Sequence, residues 1–270
     1  MKKVLITGAA GGIGKAIVRY FLQREWEVIG SDIDCELLDE FLGYASFEAI
    51  QIDVTSDESI AGAMQQISTL TSSLDALINC AGIFDHFPLA EASPGQLESI
   101  LSVNVVGVAR MTSAFFPMLY AAKGRIVNLS SETAMASLPM QIYGVSKGML
   151  EVYTDALRQE LNLLGMSVIL VRPGAHTTNL FAHSRDILGR IEEDSVFSDA
   201  LTIVRDRGRK IIDQGAADPQ EIAEVAYRAV TSIRPRRIYH VNVSSRFKIL
   251  EHLPRRLKEF LVHRMLTSKG

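Results

Sequence analysis

Tyr143 and Lys147 stand four residues apart, a spacing that puts both side chains on one face of a helix. A phenol with an ordinary pKa of about 10 is a poor base at neutral pH, and a neighbouring ammonium lowers it. Such a pair takes the proton of an alcohol, or returns one to a carbonyl, as a hydride leaves or arrives. That chemistry needs a hydride carrier, and the chain offers a place for one near its start.

The run Thr7-Gly8-Ala9-Ala10-Gly11-Gly12-Ile13-Gly14 lies between an apolar strand and a helix-spaced set, Ile17, Val18, Phe21 and Leu22. Glycines let the backbone turn tightly and approach a pyrophosphate, whose charge a helix N-terminus stabilises. Asp32 follows Gly14 by 18 residues, at the end of the next apolar run. A carboxylate there accepts hydrogen bonds from the adenosine ribose and repels a 2′-phosphate. No Arg or Lys stands in the glycine turn or directly after Asp32, so NAD(H) is expected over NADP(H). Asp34 fits a strand-end turn better.

The elements that must position these groups alternate. Strands are expected at 3–7, 28–31, 47–52, 76–80, 125–129, 167–171 and 237–243, the sixth stopped by Pro173. Helices follow the glycine turn and span the Ile60, Met64 and Ile67 set. A long one opens with Ser93 as N-cap and Pro94 and runs to about Leu119. Others are expected at 143–164, ended by Gly165, and at 219–232. This order predicts an α/β fold, one doubly wound parallel sheet of seven strands with helices on both faces. The strands read as continuous apolar runs because both faces are covered.

With 47% hydrophobic and 22% charged residues, the chain has the composition of a folded globular protein. Cys35 and Cys80 have no metal-ligand spacing and suit a reducing compartment; no metal is expected. The apolar start is too short for a signal peptide and no apolar stretch reads as a membrane span, so a cytoplasmic protein is expected. The net charge of −3 divides unevenly: residues 234–270 hold ten Lys/Arg against two Glu, leaving −11 on the rest. The basic residues sit in a tail rather than across a folded face, so nucleic acid is not an expected partner.

On these motifs the chain resembles the short-chain dehydrogenase/reductase family from residue 3 to about 243. The resemblance is carried by the glycine turn, Asn79-Cys80-Ala81-Gly82, Asn104, Ser130-Ser131, Tyr143-Gly144-Val145-Ser146-Lys147, and Pro173-Gly174 with Thr178. It implies a single Rossmann-type domain over 1–245, with 246–270 a tail of that domain. Gly8, Gly12, Ile13 and Gly14 would then line the dinucleotide, with Asp53 and Val54 near the adenine. Asn79, Ala81 and Gly82 would pack beside the adenosine ribose and the central sheet. Lys147 would also bind the nicotinamide ribose, and Asn104 would hold a water linking Lys147 to solvent. Pro173, Gly174 and Thr178 would flank the nicotinamide.

By the same resemblance, the serine that bonds the substrate oxygen is Ser131, at 12 residues from Tyr143. Ser130 satisfies the commoner separation of 13 and stays the alternative. Cys80 replaces a usual asparagine, and His176 stands where a small apolar residue often meets the nicotinamide amide by its backbone.

Residues 177–215 would cover the substrate; Leu180, Phe181, Ile187, Leu188, Ile191, Val196 and Phe197 suit an apolar one. In the tail, Leu257, Phe260, Leu261 and Met265 repeat at helical spacing among Arg255, Arg256, Lys258 and Arg264. Such a helix lies on an anionic membrane or docks on the acidic body or a second subunit. The expected reaction is reversible oxidation of a secondary alcohol by NAD. The alternatives are an NADPH-dependent keto-reductase and a non-catalytic NAD(H)-binding regulator. Family habit suggests a homodimer or homotetramer through the two long helices.

Overall fold

The computed structural model describes residues 1–136, 138–176, 195–213 and 217–267, with the backbone alone over 207–213. Seven strands, β1 (Lys3–Thr7), β2 (Glu27–Asp32), β3 (Phe47–Gln51), β4 (Ala76–Asn79), β5 (Arg125–Leu129), β6 (Ser167–Pro173) and β7 (Ile238–Val241), form one sheet. All pairs are parallel, in the order β3-β2-β1-β4-β5-β6-β7. Val4, Leu5 and Ile6 of β1 and Leu77 and Ile78 of β4 are fully buried, because helices cover both faces. The order reverses between β1 and β4, and a ligand crevice opens beyond the carboxyl ends of strands at such a point.

Helix α1 (Gly12–Leu22) covers one face with the later helix Gln220–Thr231. Ile17, Val18 and Phe21 of α1 share a core there with Ala226 and Ala229. On the other face lie α2 (Asp57–Leu70), α4 (Val108–Ala122) and α5 (Ile142–Asn162). Their Ile60, Ile67, Met111, Phe115, Leu119 and Leu161 pack against Leu5, Leu77 and Ile126. Helix α3 (Pro94–Leu101) begins as expected at Ser93, which forms a capping box with Gln96.

The long helix foreseen from Pro94 is not uniform. A turn of π-helix, Ser102–Gly107, separates α3 from α4. The whole stretch Pro94–Ala122 is long and apolar enough to cross a membrane, against the expectation that no stretch is. Met111, Phe115 and Leu119 are nevertheless spent on the sheet. Strand β6 runs on through Pro173 rather than stopping before it. Proline is tolerated there because it ends the strand, and Gly174 N–H makes the next bond, to Val241 O. Short 3-10 turns at Cys35–Phe41 and Glu132–Met135, seven and four residues long, were not foreseen from the sequence.

Beyond β6 come α6 (Ser198–Asp213), α7 (Gln220–Thr231), α8 (Ser245–His252) and α9 (Arg255–Thr267). The tail is therefore two helices broken at Pro254. The first packs on the 3-10 turn Glu132–Met135 and the second on α6. Leu257, Phe260 and Leu261 of α9 remain exposed.

Candidate active site

The glycine turn is held from three sides. Ala9 N–H donates to Ser31 O at 3.0 Å, and Thr7 Oγ1 accepts the N–H groups of Cys80 and Ala81. Ala10 N–H donates to Asp32 Oδ2 at 3.0 Å, so Asp32 braces the turn from the end of β2. Gly8 has φ +64, a conformation side chains rarely adopt. A Cβ on Gly14 would lie 2.1 Å from Gly8 O. The turn thus brings backbone, not side chain, to the start of α1, where a pyrophosphate is best stabilised. Asp34 accepts from Glu36 N–H and caps its own turn, as its position suggested.

Asp53 spends one carboxylate oxygen on Thr55 N–H and Oγ1, at 2.8 and 2.7 Å, which shapes the loop after β3 beside buried Val54. Asn79 Nδ2 donates to Asn128 Oδ1 at 2.8 Å, and its own Oδ1 is buried with no partner among the described residues. These groups, with the cradle of Gly8, Gly12, Ile13 and Gly14, fit a nicotinamide dinucleotide.

Helix α5 carries the reacting pair because its buried residues, Lys147, Leu150, Thr154, Arg158 and Leu161, fall on one stripe. Polar bonds fix its rotation. Asn128 Nδ2 donates to Thr154 Oγ1 at 2.9 Å, and Arg158 Nε to Val168 O at 2.8 Å. Each such buried bond contributes about 1 kcal/mol net, and losing one partner costs more. Lys147 Nζ donates to Leu129 O at 2.9 Å and lies 5.7 Å from the Tyr143 ring centre. The Ser131 side chain lies beside the Tyr143 phenol and acts to lower its pKa. Ser130 instead donates to Glu151 Oε1 at 2.6 Å. The serine beside the tyrosine is therefore Ser131.

Asn104 sits in the π-helical turn. Its Oδ1 accepts Ile83 N–H, and its Nδ2 donates to Ile83 O and to Ser146 Oγ, at 2.9, 2.9 and 3.0 Å. A Cβ on Gly82 would meet Asn104 Oδ1 at 3.3 Å and Lys147 Nζ at 3.4 Å. That glycine is what lets the two polar groups share one space.

The electrostatics depart from the expectation that the lysine lowers the phenol. Desolvation pushes Tyr143 up to about 12, more than the neighbouring Ser131 side chain offsets. Burial pushes Lys147 down to about 8. The thiol of Cys80 is pushed up to about 12 by burial, while its N–H stays on Thr7. Tyr143 is thus a neutral phenol at pH 7, set to donate a proton.

Pro173 ends β6, and Gly174 N–H donates to Val241 O at 2.9 Å. His176 is buried, with Nδ1 2.9 Å from Gly174 O and Nε2 unpartnered among the described residues. Thr178 lies outside the described residues, as do Leu180, Phe181, Ile187, Leu188 and Ile191. Within the expected covering segment, Ser195 Oγ donates to Glu91 Oε2 at 2.7 Å.

The sequence did not mark Phe84, whose ring lies tilted with its centre 5.1 Å from that of Tyr143, nor Phe87, packed with Ile100 and Ile142. The apolar run after Gly82 was the available signal. Glu132 and Glu151, which flank the serines in space, had none.

Fold and site together define a nucleotide-binding α/β protein with a Ser-Tyr-Lys group at the crevice. The family model for short chain dehydrogenase matches residues 2–188. The chain is 32% identical over 202 residues to estradiol 17-beta-dehydrogenase 2 of Mus musculus, covering 72% of this chain and 52% of that protein. It is 32% identical over 196 residues to retinol dehydrogenase 16 of Homo sapiens, covering 71% and 62%. The chain therefore spans about half to two thirds of the length of these relatives. A short-chain dehydrogenase/reductase of Burkholderia phymatum, solved in complex with NAD, shares the fold with a TM-score of 0.79 at 21% identity, covering 100% of this chain and 97% of that one. This chain belongs to the short-chain dehydrogenase family, oxidoreductases of alcohol and ketone groups that use a nicotinamide cofactor.

Proposed function

We propose that the protein moves a hydride between NAD(H) and a secondary alcohol or ketone on an apolar body. The observation that carries this reading is Lys147 5.7 Å from the Tyr143 ring, with the Ser131 side chain beside the phenol. Ser131 would donate to the substrate oxygen and fix it beside Tyr143. Tyr143 would give its proton to a ketone, or take one from an alcohol through the same bond. Lys147 would stabilise the phenolate left behind. Bound between the glycine turn and Pro173-Gly174, the nicotinamide would supply or accept the hydride. Phe84 and Phe87 beside Tyr143 support an apolar substrate, as do relatives named for estradiol and retinol.

Asp32 supports NAD(H) over NADP(H). NADH should bind at least about tenfold more tightly than NADPH, a gap of about 1.4 kcal/mol, and Asp32→Ala should narrow it. Fluorescence titration of each cofactor measures this. Tighter NADPH binding would instead favour a keto-reductase using that cofactor.

We further propose that copies pair through the long helices, where Val106, Tyr120, Met149 and Val152 are exposed, and that α9 rests on an anionic membrane. Leu257, Phe260 and Leu261 would enter the headgroup region with Arg256 and Arg264 beside them. Sedimentation of the chain, alone and with phosphatidylserine vesicles, reads both proposals. A monomer that leaves such vesicles unbound removes both.

A further inference from the structure

Glu132 follows Ser131, the serine beside Tyr143, and is itself buried. Its Oε2 accepts the backbone N–H of Ser244 at 2.7 Å, at the junction of β7 and α8. The same oxygen lies 3.2 Å from where a Cβ on Gly174 would stand. One carboxylate thus fills the space between the serine turn, the Pro173-Gly174 end of β6 and the start of the tail.

The turn it belongs to, Glu132–Met135, has only four residues, and a 3-10 turn of that length holds its own orientation poorly. Ser131 caps it, accepting from Thr133 N–H at 3.3 Å and Thr133 Oγ1 at 3.0 Å. Those bonds are local and turn with it. The bond to Ser244 is the anchor across 112 residues of chain. Burial pushes the Glu132 carboxyl above the usual range, and an acid is an expensive choice where an apolar side chain would fill the space. A second tie runs alongside. Glu151, which receives the Ser130 hydroxyl, pairs with Arg172 at 2.6 Å, and Arg172 pairs with Glu251 of α8 at 2.9 Å.

We propose that Glu132 is a positioning residue, whose bond to the Ser244 N–H holds the turn that aims the Ser131 hydroxyl at Tyr143. The tail thereby becomes part of the active-site frame. The proposal rests on the reading of Tyr143 as the proton donor, and adds the group that keeps its serine in place. A shift of the serine by about 1 Å is enough to cost about 100-fold in rate.

The bond can be cut from either side. Glu132→Ala removes the acceptor. Ser244→Pro removes only the donor and its side-chain cap, since Ser244 has φ −58 and ψ 137, angles proline accepts. Each variant should lower kcat by about 10- to 100-fold, with the NADH dissociation constant and substrate KM within about threefold. Together they should cost little more than the larger single loss, and their effects on the melting of the cofactor-free protein should be equally non-additive. Glu132→Gln, which keeps an acceptor oxygen, and Ser244→Ala, which keeps the N–H, should each recover most of the rate. Unchanged kcat in either cut variant, independent losses in the double variant, or no recovery by Gln overturns the proposal. Wild-type protein that turns over no alcohol or ketone would remove the functional reading, and this inference with it. Wild-type turnover with an unchanged Glu132→Ala rate would sink the inference alone.

Discussion

Tyr143→Phe should leave a folded, NADH-binding protein whose kcat is at least about 100-fold lower, within the range a positioned proton donor supplies. The phenylalanine keeps the ring packed 5.1 Å from Phe84, so the apolar wall is undisturbed. What is lost is the hydroxyl beside Ser131, and with it the proton that a reduced ketone needs. Ser131 remains able to hold the substrate oxygen, and the glycine turn remains able to hold the cofactor. The loss should therefore fall on kcat rather than on KM or NADH affinity. Steady-state kinetics beside a fluorescence titration measure both. Wild-type kcat in this variant would remove Tyr143 from the mechanism. NADH binding with no turnover in wild type or variant would favour the regulator.

Lys147→Met should cost about as much, roughly 100-fold, and should also change the pH profile. Burial brings Lys147 down to about 8, so it is an ammonium below that pH and neutral above it. The ammonium is the form that stabilises a phenolate on Tyr143. Ketone reduction by the wild-type protein should accordingly be level below pH 8. Above it the rate should fall about tenfold per pH unit, the slope of a single lost proton. Methionine fills the buried space without a charge, and the variant should be slow and lack this break. A break near pH 8 that survives the substitution would assign it to another group.

Much of the frame was legible because each signal was local. Strands covered on both faces must be apolar runs, so β1, β4, β5 and β6 stand out from composition alone. The glycine turn announces itself because Gly14 leaves no room for a Cβ beside Gly8 O. Ser93-Pro94 and the Tyr143/Lys147 spacing work the same way, by short-range geometry. What escaped depends on partners far along the chain. Ser130 is tied to Glu151, on another element, and no count of residues to Tyr143 contains that bond.

The direction of the Tyr143 shift likewise depends on how deeply the tertiary packing buries its hydroxyl, which outweighs any charge a sequence displays. Asn104 was foreseen, but not the π-helical turn that carries it or the commitment of its amide to Ile83 and Ser146. Apolar spacing is nearly the same in a π turn as in the helix around it. The tail was foreseen as one amphipathic helix with one apolar face. In the structure α9 rests on α6, within the chain's own body, and leaves Leu257, Phe260 and Leu261 exposed.

The central claim is direct hydride transfer between a nicotinamide and a substrate carbon, and an isotope follows it most directly. NADH carrying deuterium at C4, prepared separately in each stereochemical form, would be incubated with apolar ketones and the alcohol products weighed by mass spectrometry. The account predicts that one form delivers deuterium to the carbinol carbon in every product molecule, and the other none. Alcohol formed without the label from either form, or no alcohol beside tight NADH binding, would contradict it.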